Sequence, residues 1–571
     1  MRLNKLVISV AALAVVGSGL YAGGMNYAKK YERECQGCHG PIHQGGVGAD
    51  IRPKALKKKD DAVLVHTILN GVPSTSMPAW KDMGFSKANA KGMVHWLKTW
   101  KNNVHLSLTL KGVHKTWKKL ADVDALAKQY PNAVDVKDVK DITFATERDA
   151  SLVDFIDSTT GAVLSRHKAG FAVHVTVTNK KNPRYAYSIS RSGRLTMFDL
   201  AAPGQPAVAS VQVGQESRGL GVSPDGKYVL AGNYTPGGAV LCDAHTLEPL
   251  KVYATNKVDL IGGGKGESRV AGIADTPYGP YFAMALKDAG SVFIIDYSKK
   301  GFPIVGKAKN IGKILHDCFL NENEGPDYGR YFQIASQQSD LMGIVDFKTK
   351  KLVAKVMTGD KTKPHPGQGS SWYSETLGKQ LNATNNIRQG LAVIWESPKW
   401  KVIKKVKTPG GGLFIGTSEH TPWLWSDCVL GGEKNYNQVA LINKESLKVD
   451  KIIKVGKKQG QLIDAKTGEI LQTWDATQYQ TVHMDEMDSP ISKEKIVPMP
   501  VTGPEVKNPV QPRLLHAEPA NHGKWVMISE WTTGRIGIYE ANTGRFVKYI
   551  RSLTTPTFTY SIEHRQHVPG A

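Results

Sequence analysis

Phe155-Ile156-Asp157 is the first of eight short apolar runs that end in a polar residue at a turn. It returns as Met197-Phe198-Asp199, Leu241-Cys242-Asp243, Ile294-Ile295-Asp296, Ile344-Val345-Asp346, Ile394-Trp395-Glu396, Leu441-Ile442-Asn443 and Ile538-Tyr539-Glu540. The first seven lie 42 to 53 residues apart, the length of one four-stranded propeller blade, and the last gap, 97, is about twice that. Eight units predict eight blades. Ile463-Asp464-Ala465-Lys466-Thr467-Gly468 is an extra copy only 21 residues after Asn443, so residues 443 to 510 read as a blade with a long insertion or as a ninth unit. The polar, Pro-containing tail of that stretch, Asp485 to Pro509, reads as an excursion from the propeller surface.

Before about residue 135 the chain has a different character. Cys35-Gln36-Gly37-Cys38-His39 has the C-x-x-C-H spacing at which two thiols take up the vinyl groups of a haem while the next imidazole ligates its iron. A zinc half-site would want a second Cys/His pair, and a redox dithiol a βαβ setting; neither is present. A helical stretch from Asp60 to Asn70 leads into a Pro- and Ser-rich loop, Gly71 to Trp80, that presents Met77 as the sixth haem ligand. Met83, Met93 and His95 are rivals, but Lys87 to Trp100 reads as a closing helix whose apolar face carries them. A Met opposite a His raises the potential and leaves no open position, which suits electron transfer. The loop resembles the S-M-P-A-W segment of small class I cytochromes c.

Arg2 and Lys5, an apolar run from Leu6 to Val16 and small residues up to Ala22 read as a cleaved export signal, predicting a periplasmic protein. The expected organisation is a signal peptide over 1–22, a small all-α class I cytochrome c domain over 23–115, a linker over 116–135 and an all-β eight-bladed propeller over 136–571. Fifty-seven glycines and twenty-nine prolines in 571 residues suit so turn-rich a chain. The net charge of +23, with one dense run at Lys54 to Lys59, attracts anions. In an exported haem protein that favours an acidic redox partner over nucleic acid or anionic lipid, and a merely solvated basic surface over any of these. Cys242, Cys318 and Cys428 are scattered and odd in number, which predicts buried free thiols rather than a disulfide framework.

Whether the propeller carries chemistry rests on its histidines. His174 sits in the alternating strand Phe171-Ala172-Val173-His174-Val175-Thr176, while His316 in Leu315-His316-Asp317 and His365 in Lys363-Pro364-His365-Pro366-Gly367 read as loop starts. Singly, each is an ordinary core, capping or surface histidine.

In order and surroundings they resemble the cytochrome cd1 nitrite reductase family, in which a small cytochrome c domain precedes a propeller holding haem d1. The resemblance runs from the attachment site to near residue 430 and resumes at Leu553-Thr554-Thr555-Pro556-Thr557. It implies covalent haem c on Cys35 and Cys38 with His39 and Met77 as ligands, and non-covalent haem d1 with His174 as its proximal ligand. It makes His316 and His365 the catalytic pair over the distal face, and it places Arg148, Arg191, Arg218 and Tyr234 against the d1 carboxylates. The implied reaction is one-electron reduction of nitrite to nitric oxide, with electrons from a small soluble cytochrome c or cupredoxin, in a homodimer. His516, and the stretch Ser418 to Asp427 with His420, Pro422 and Trp425, depart from the reductase pattern. They are closer to the d1-maturation dehydrogenase relatives, which oxidise a side chain of the d1 precursor and pass electrons out through haem c. That enzyme is the second reading, with His516 as its expected base; a non-catalytic redox or binding protein is the third.

Overall fold

The computed structural model describes residues 25–40, 43, 48–72, 77–101, 108–148, 150–170, 172–322, 325–477, 511–551, 553 and 555–570. The expected signal peptide and the stretch Asp485 to Pro509 lie outside them.

Eight antiparallel sheets form the blades of a propeller. Seven of the eight regular repeats end the third strand of a blade, from Leu152–Asp157 in blade 1 to Arg535–Glu540 in blade 8, and Glu396 stands one residue before the end of the third strand Leu391–Ser397. The terminal carboxylate is there for a local reason: it caps the turn into the outermost strand. Asp157 Oδ1 accepts from Thr159 N at 2.8 Å, Asp243 Oδ1 from Thr246 N at 2.8 Å and Asp464 Oδ1 from Thr467 N at 2.7 Å, each an Asx turn.

Blade 1 takes its innermost strand, Pro556–Ser561, from the far end of the chain, where it pairs with Ile142–Glu147 and closes the ring. Tyr560 of that strand is fully buried and stacks on Phe144 with ring centroids 5.6 Å apart.

The extra copy at Ile463-Asp464 is not a ninth blade. Blade 7 has six strands, Gln459–Asp464 and Ile470–Asp475 forming a hairpin on its outer edge. The hairpin also packs on blade 8, where Trp474 stacks on Phe546 at 4.7 Å and donates to Tyr549 Oη at 3.0 Å.

At the N-terminal end, helices Asp61–Asn70 and Lys87–Thr99 pack together around Val65, Phe85, Ala90, Met93, Val94 and Leu97. Asp60 and Ser86 cap their first turns, Asp60 Oδ1 accepting from Ala62 N at 2.7 Å and Ser86 Oγ from Asn89 N at 3.1 Å. Within the expected linker, Lys118–Lys119 pairs with Ala207–Gln212 as a fifth strand of blade 2. Among the described residues no helix is long and apolar enough to cross a membrane.

Candidate functional site

One cavity of about 1130 Å³ reaches from the helical end of the chain to the propeller axis. Cys35, Cys38, His39 and Met77 line it at one end; His174, His316 and His365 line it at the other.

At the helical end, His39 closes the helix Gln36–His39, and its Nδ1 lies 2.7 Å from the carbonyl oxygen of Ala49. That contact makes Nδ1 the donor and leaves Nε2 as the ligand atom. A Cβ on Gly48 would stand 2.8 Å from the imidazole, so only glycine lets the following loop lie flat against the ring. Burial lowers the His39 pKa, which keeps the ring neutral as a ligand must be. Two thiols, an imidazole Nε2 and a thioether around one cavity fit a covalently held haem c. Of the rivals to Met77, His95 is exposed and Met93 is packed in the helical core, although it also borders the cavity; the Met83 side chain lies outside the description.

At the propeller end the key histidines share one structural device. Each lies on the innermost strand of its blade, at a break in the antiparallel register: His174 between Val173 and Val175, His316 between Leu315 and Cys318, and His365 at the edge of a break that runs to Ser370. A bulge turns a side chain that would lie between blades toward the axis. His316 and His365 are therefore within strands, Leu315–Leu320 and Pro364–Ser374, and not at loop starts as the sequence suggested. Blade 2 carries His174, and blades 5 and 6, across the ring, carry the other two.

His174 Nδ1 donates to the carbonyl oxygen of Arg218 at 3.2 Å, leaving Nε2 for the cavity and an iron. His316 and His365 are buried with ring centroids 4.7 Å apart and share Asp317. His316 Nδ1 lies 2.7 Å from Asp317 Oδ1; His365 Nδ1 lies 3.2 Å from Asp317 Oδ2 and 2.9 Å from the carbonyl oxygen of Leu413. Arg218 donates to Asp317 Oδ1 at 3.0 Å. Burial alone would push the Asp317 carboxyl up, but His365, His316 and Arg218 together hold it well below the usual range, so it is a carboxylate. Burial and the Arg218 charge push His316 well below the ordinary histidine value against the pull of Asp317, and burial likewise lowers His365. Both are neutral imidazoles near pH 7, with Nδ1–H anchored and Nε2 the basic atom. The donor atoms of His316, Asp317 and His365 lie within 4.8 Å of one another, but Asp317 is already shared between two imidazoles and a guanidinium.

The cavity is strongly cationic. Arg148, Arg191 and Arg218 line it as expected, and with them Arg269 and Lys287, which sequence reading missed. Arg191, Arg269 and Lys287 surround the ring of Tyr234 at 5.8, 5.5 and 5.5 Å from its centroid. Tyr234 is thus fully buried behind these cations, its Oη without a hydrogen-bond partner among the described residues. Burial, then Arg269 and Arg218, push Lys287 well below the usual lysine value, and Arg191 is lowered to about 10 by burial and Arg218. The buried Nε and Nη1 of Arg191 have no partner among the described residues. Buried guanidinium atoms awaiting partners beside other cations fit a polycarboxylate macrocycle such as haem d1. Cys318, expected to be fully buried, is half-buried and borders the cavity; Cys242 and Cys428 are buried as expected.

His516, the base expected in the second reading, does not itself line the cavity. It is buried behind Phe414, Phe558 and Gln368, which line the cavity, and stacks on Phe558 with centroids 4.5 Å apart. Its Nδ1 accepts from Thr559 N at 3.2 Å, so Nε2 donates to Gln368 Oε1 at 2.8 Å. His420, nearly half exposed, pairs with Glu419.

The model of the cytochrome D1 heme domain matches residues 137–565. This chain belongs to that family. The model of the cbb3-type cytochrome c oxidase subunit III matches residues 23–97, so the cytochrome d1 domain is preceded by a cytochrome c domain. The chain is 27% identical to the Dihydro-heme d1 dehydrogenase of Pseudomonas aeruginosa over 90% of its own length and 100% of the relative's. It is 26% identical to the Nitrite reductase of Stutzerimonas stutzeri over 71% of this chain and 75% of that one. The solved structure of "Dihydro-heme d1 dehydrogenase NirN in complex with DHE" superposes with a TM-score of 0.65 at 23% identity, covering 94% of this chain and 99% of that one, and shows the shared fold. The named relatives with a stated reaction are oxidoreductases, which sets the broad class of this cytochrome d1 protein.

Proposed function

We propose that this member of the cytochrome d1 family is a dihydro-haem d1 dehydrogenase, which takes two hydrogens from a bound dihydro-haem d1. The observation that carries the reading is the anchoring of both imidazoles at Nδ1, His316 by Asp317 and His365 by Asp317 and the carbonyl oxygen of Leu413. Nitrite reduction needs acids above the iron, whereas two neutral imidazoles anchored at Nδ1 present basic Nε2 atoms to the cavity. Removing two hydrogens needs a base. Similarity to the Pseudomonas aeruginosa dehydrogenase over that protein's whole length supports the same choice. The nitrite reductase, the first expectation from the sequence, is the weaker of the two enzymatic readings.

In this reading His174 holds the substrate iron, and the Arg191, Arg218, Arg269 and Lys287 group takes its carboxylates. Either His316 or His365 accepts a proton at Nε2, and Asp317 and Arg218 hold the pair in place. Haem c, held by Cys35, Cys38, His39 and Met77, would supply a one-electron acceptor at the other end of the same cavity. A soluble acceptor of the cytochrome c or cupredoxin class then collects the two electrons in turn. Export to the periplasm and a homodimer remain part of the proposal.

The experiment is to load the purified holoprotein with dihydro-haem d1 under anaerobic conditions, add an oxidised soluble cytochrome c, and follow conversion of the macrocycle by its visible spectrum. A parallel assay supplies d1-loaded protein with nitrite and a reductant. Conversion of the macrocycle with no nitric oxide formed is the expected result; nitric oxide formation without conversion would overturn the reading.

A further inference from the structure

A second, small cavity of about 20 Å³ lies deeper along the propeller axis, lined among others by Cys318, Glu322, Gln368, Arg565, Val568 and Gly570. It shares the walls Ile273, Cys318 and Gln368 with the large cavity. About 10–15 Å³ of such space is enough for one water molecule where polar partners line it. One partner is waiting: Gln368 Nε2 is buried without a hydrogen-bond partner among the described residues. The amide cannot turn freely, because His516 Nε2 donates to its Oε1 at 2.8 Å and so fixes which end of Gln368 is the donor. That gives the buried, strained His516, with φ at +39°, a purpose that its distance from the substrate cavity otherwise leaves open.

On the far side of the small cavity, Glu322 is half-buried and so touches both the interior and solvent. Arg565, Lys180 and Lys444 act on it as cations, and Glu419 and Tyr328 are its other titratable neighbours. Arg565 is already paired with Glu518, and Lys180 with the carbonyl oxygens of Val568 and Gly570. Neither cation is therefore committed to the Glu322 carboxylate.

Resting on the proposed dehydrogenase reading, we propose that a water in the small cavity, hydrogen-bonded to Gln368, carries protons between the substrate cavity and Glu322, from which they reach solvent. The balance of the reaction demands such an exit. Each dihydro-haem d1 that loses two hydrogens releases two electrons and two protons; the electrons leave through haem c to the soluble one-electron acceptor, and the protons must leave by another way. Glu322 suits the task because burial, only partly offset by Arg565, pushes its carboxyl up to about 8, so it gains and loses a proton near neutral pH. Gln368 is a positioning residue here, and so, one step behind it, is His516.

The test mixes holoprotein with dihydro-haem d1 and oxidised soluble cytochrome c in weak buffer, following haem c reduction by absorbance and proton release with an indicator dye. Glu322→Gln and Gln368→Leu are expected to slow proton release by about tenfold or more, with a larger solvent deuterium effect, and Glu322→Asp to restore most of the rate. Binding of dihydro-haem d1 by Glu322→Gln, titrated spectrally, should not change, because Glu322 does not line the substrate cavity. Proton release at the wild-type rate in both variants would overturn the path. If the wild type instead consumes nitrite, the dehydrogenase reading falls while the path is still tested: the same variants must then slow proton uptake, and unchanged uptake overturns it. A crystal structure of the holoprotein gives a readout independent of substrate. Ordered water within hydrogen-bond reach of Gln368 Nε2 is expected there, and a dry cavity would reject the path.

Discussion

Asp317 holds His316 and His365 by their Nδ1 atoms, and that tautomer decides what the pair can do. With both pKa values below the ordinary 6.5, the bases are already free at neutral pH. Turnover of dihydro-haem d1 should therefore be flat through the neutral range and fall only as pH drops below that value, when the imidazoles protonate. A rate that climbs with acid would mean that they serve as donors. His316→Gln or His365→Gln should lower kcat by about 10²-fold, the usual range for loss of a general base, with spectral binding of the substrate retained. At the other end of the cavity, Met77→Ala should abolish the thioether-to-iron charge-transfer band while the haem stays covalently attached. A band that survives would move the sixth ligand elsewhere.

Among the elements, the closing strand Pro556–Ser561 bears directly on stability, because its backbone pairing with Ile142–Glu147 closes the row of blades into a ring. Tyr560→Ala would empty a fully buried site between Phe144 and Ile562 and should cost about 3–5 kcal/mol, measured by denaturant unfolding. The outer hairpin of blade 7 has its own critical contact: a Cβ on Gly460 would stand 2.0 Å from the Trp474 indole. The bulges on the innermost strands connect element to function, for they are what turns histidines from blades 2, 5 and 6 toward one axis.

At the scale of the molecule, the two haem-binding ends meet at Arg148. Its guanidinium donates to Cys38 Sγ at 3.3 Å from a propeller loop, lies 5.8 Å from the Trp531 ring and borders the shared cavity. Sulfur is a weak acceptor, so this bond acts together with the Trp531 contact, and losing both should loosen the seating of the cytochrome domain on the propeller. Arg148→Leu is expected to leave both parts folded and to slow haem c reduction by bound substrate by about tenfold, read by stopped-flow absorbance. An unchanged rate would remove Arg148 from the electron route.

Blade number and the presence of a cytochrome c domain were legible in the chain because both signals are local. A C-x-x-C-H motif is five consecutive residues, and six of the eight repeats end in Asx turns that their blades make locally, the other two ending in Glu396 and Glu540. The same locality left two readings open at Ile463-Asp464, where a like turn closes an outer hairpin, since a turn does not report whether its strands reach the axis. His174, His316 and His365 could be named by resemblance, but their meeting could not be read from order alone, nor could the recruitment of Arg269, Lys287 and Gln368. Those residues come from blades 2, 4, 5 and 6 and are brought together by ring closure and by bulges whose positions leave no periodic trace. The environment of the pair was likewise decided by the fold. Burial beside Arg218, with Asp317 shared between them, lowers the pKa of two histidines that in an extended chain would titrate like any others.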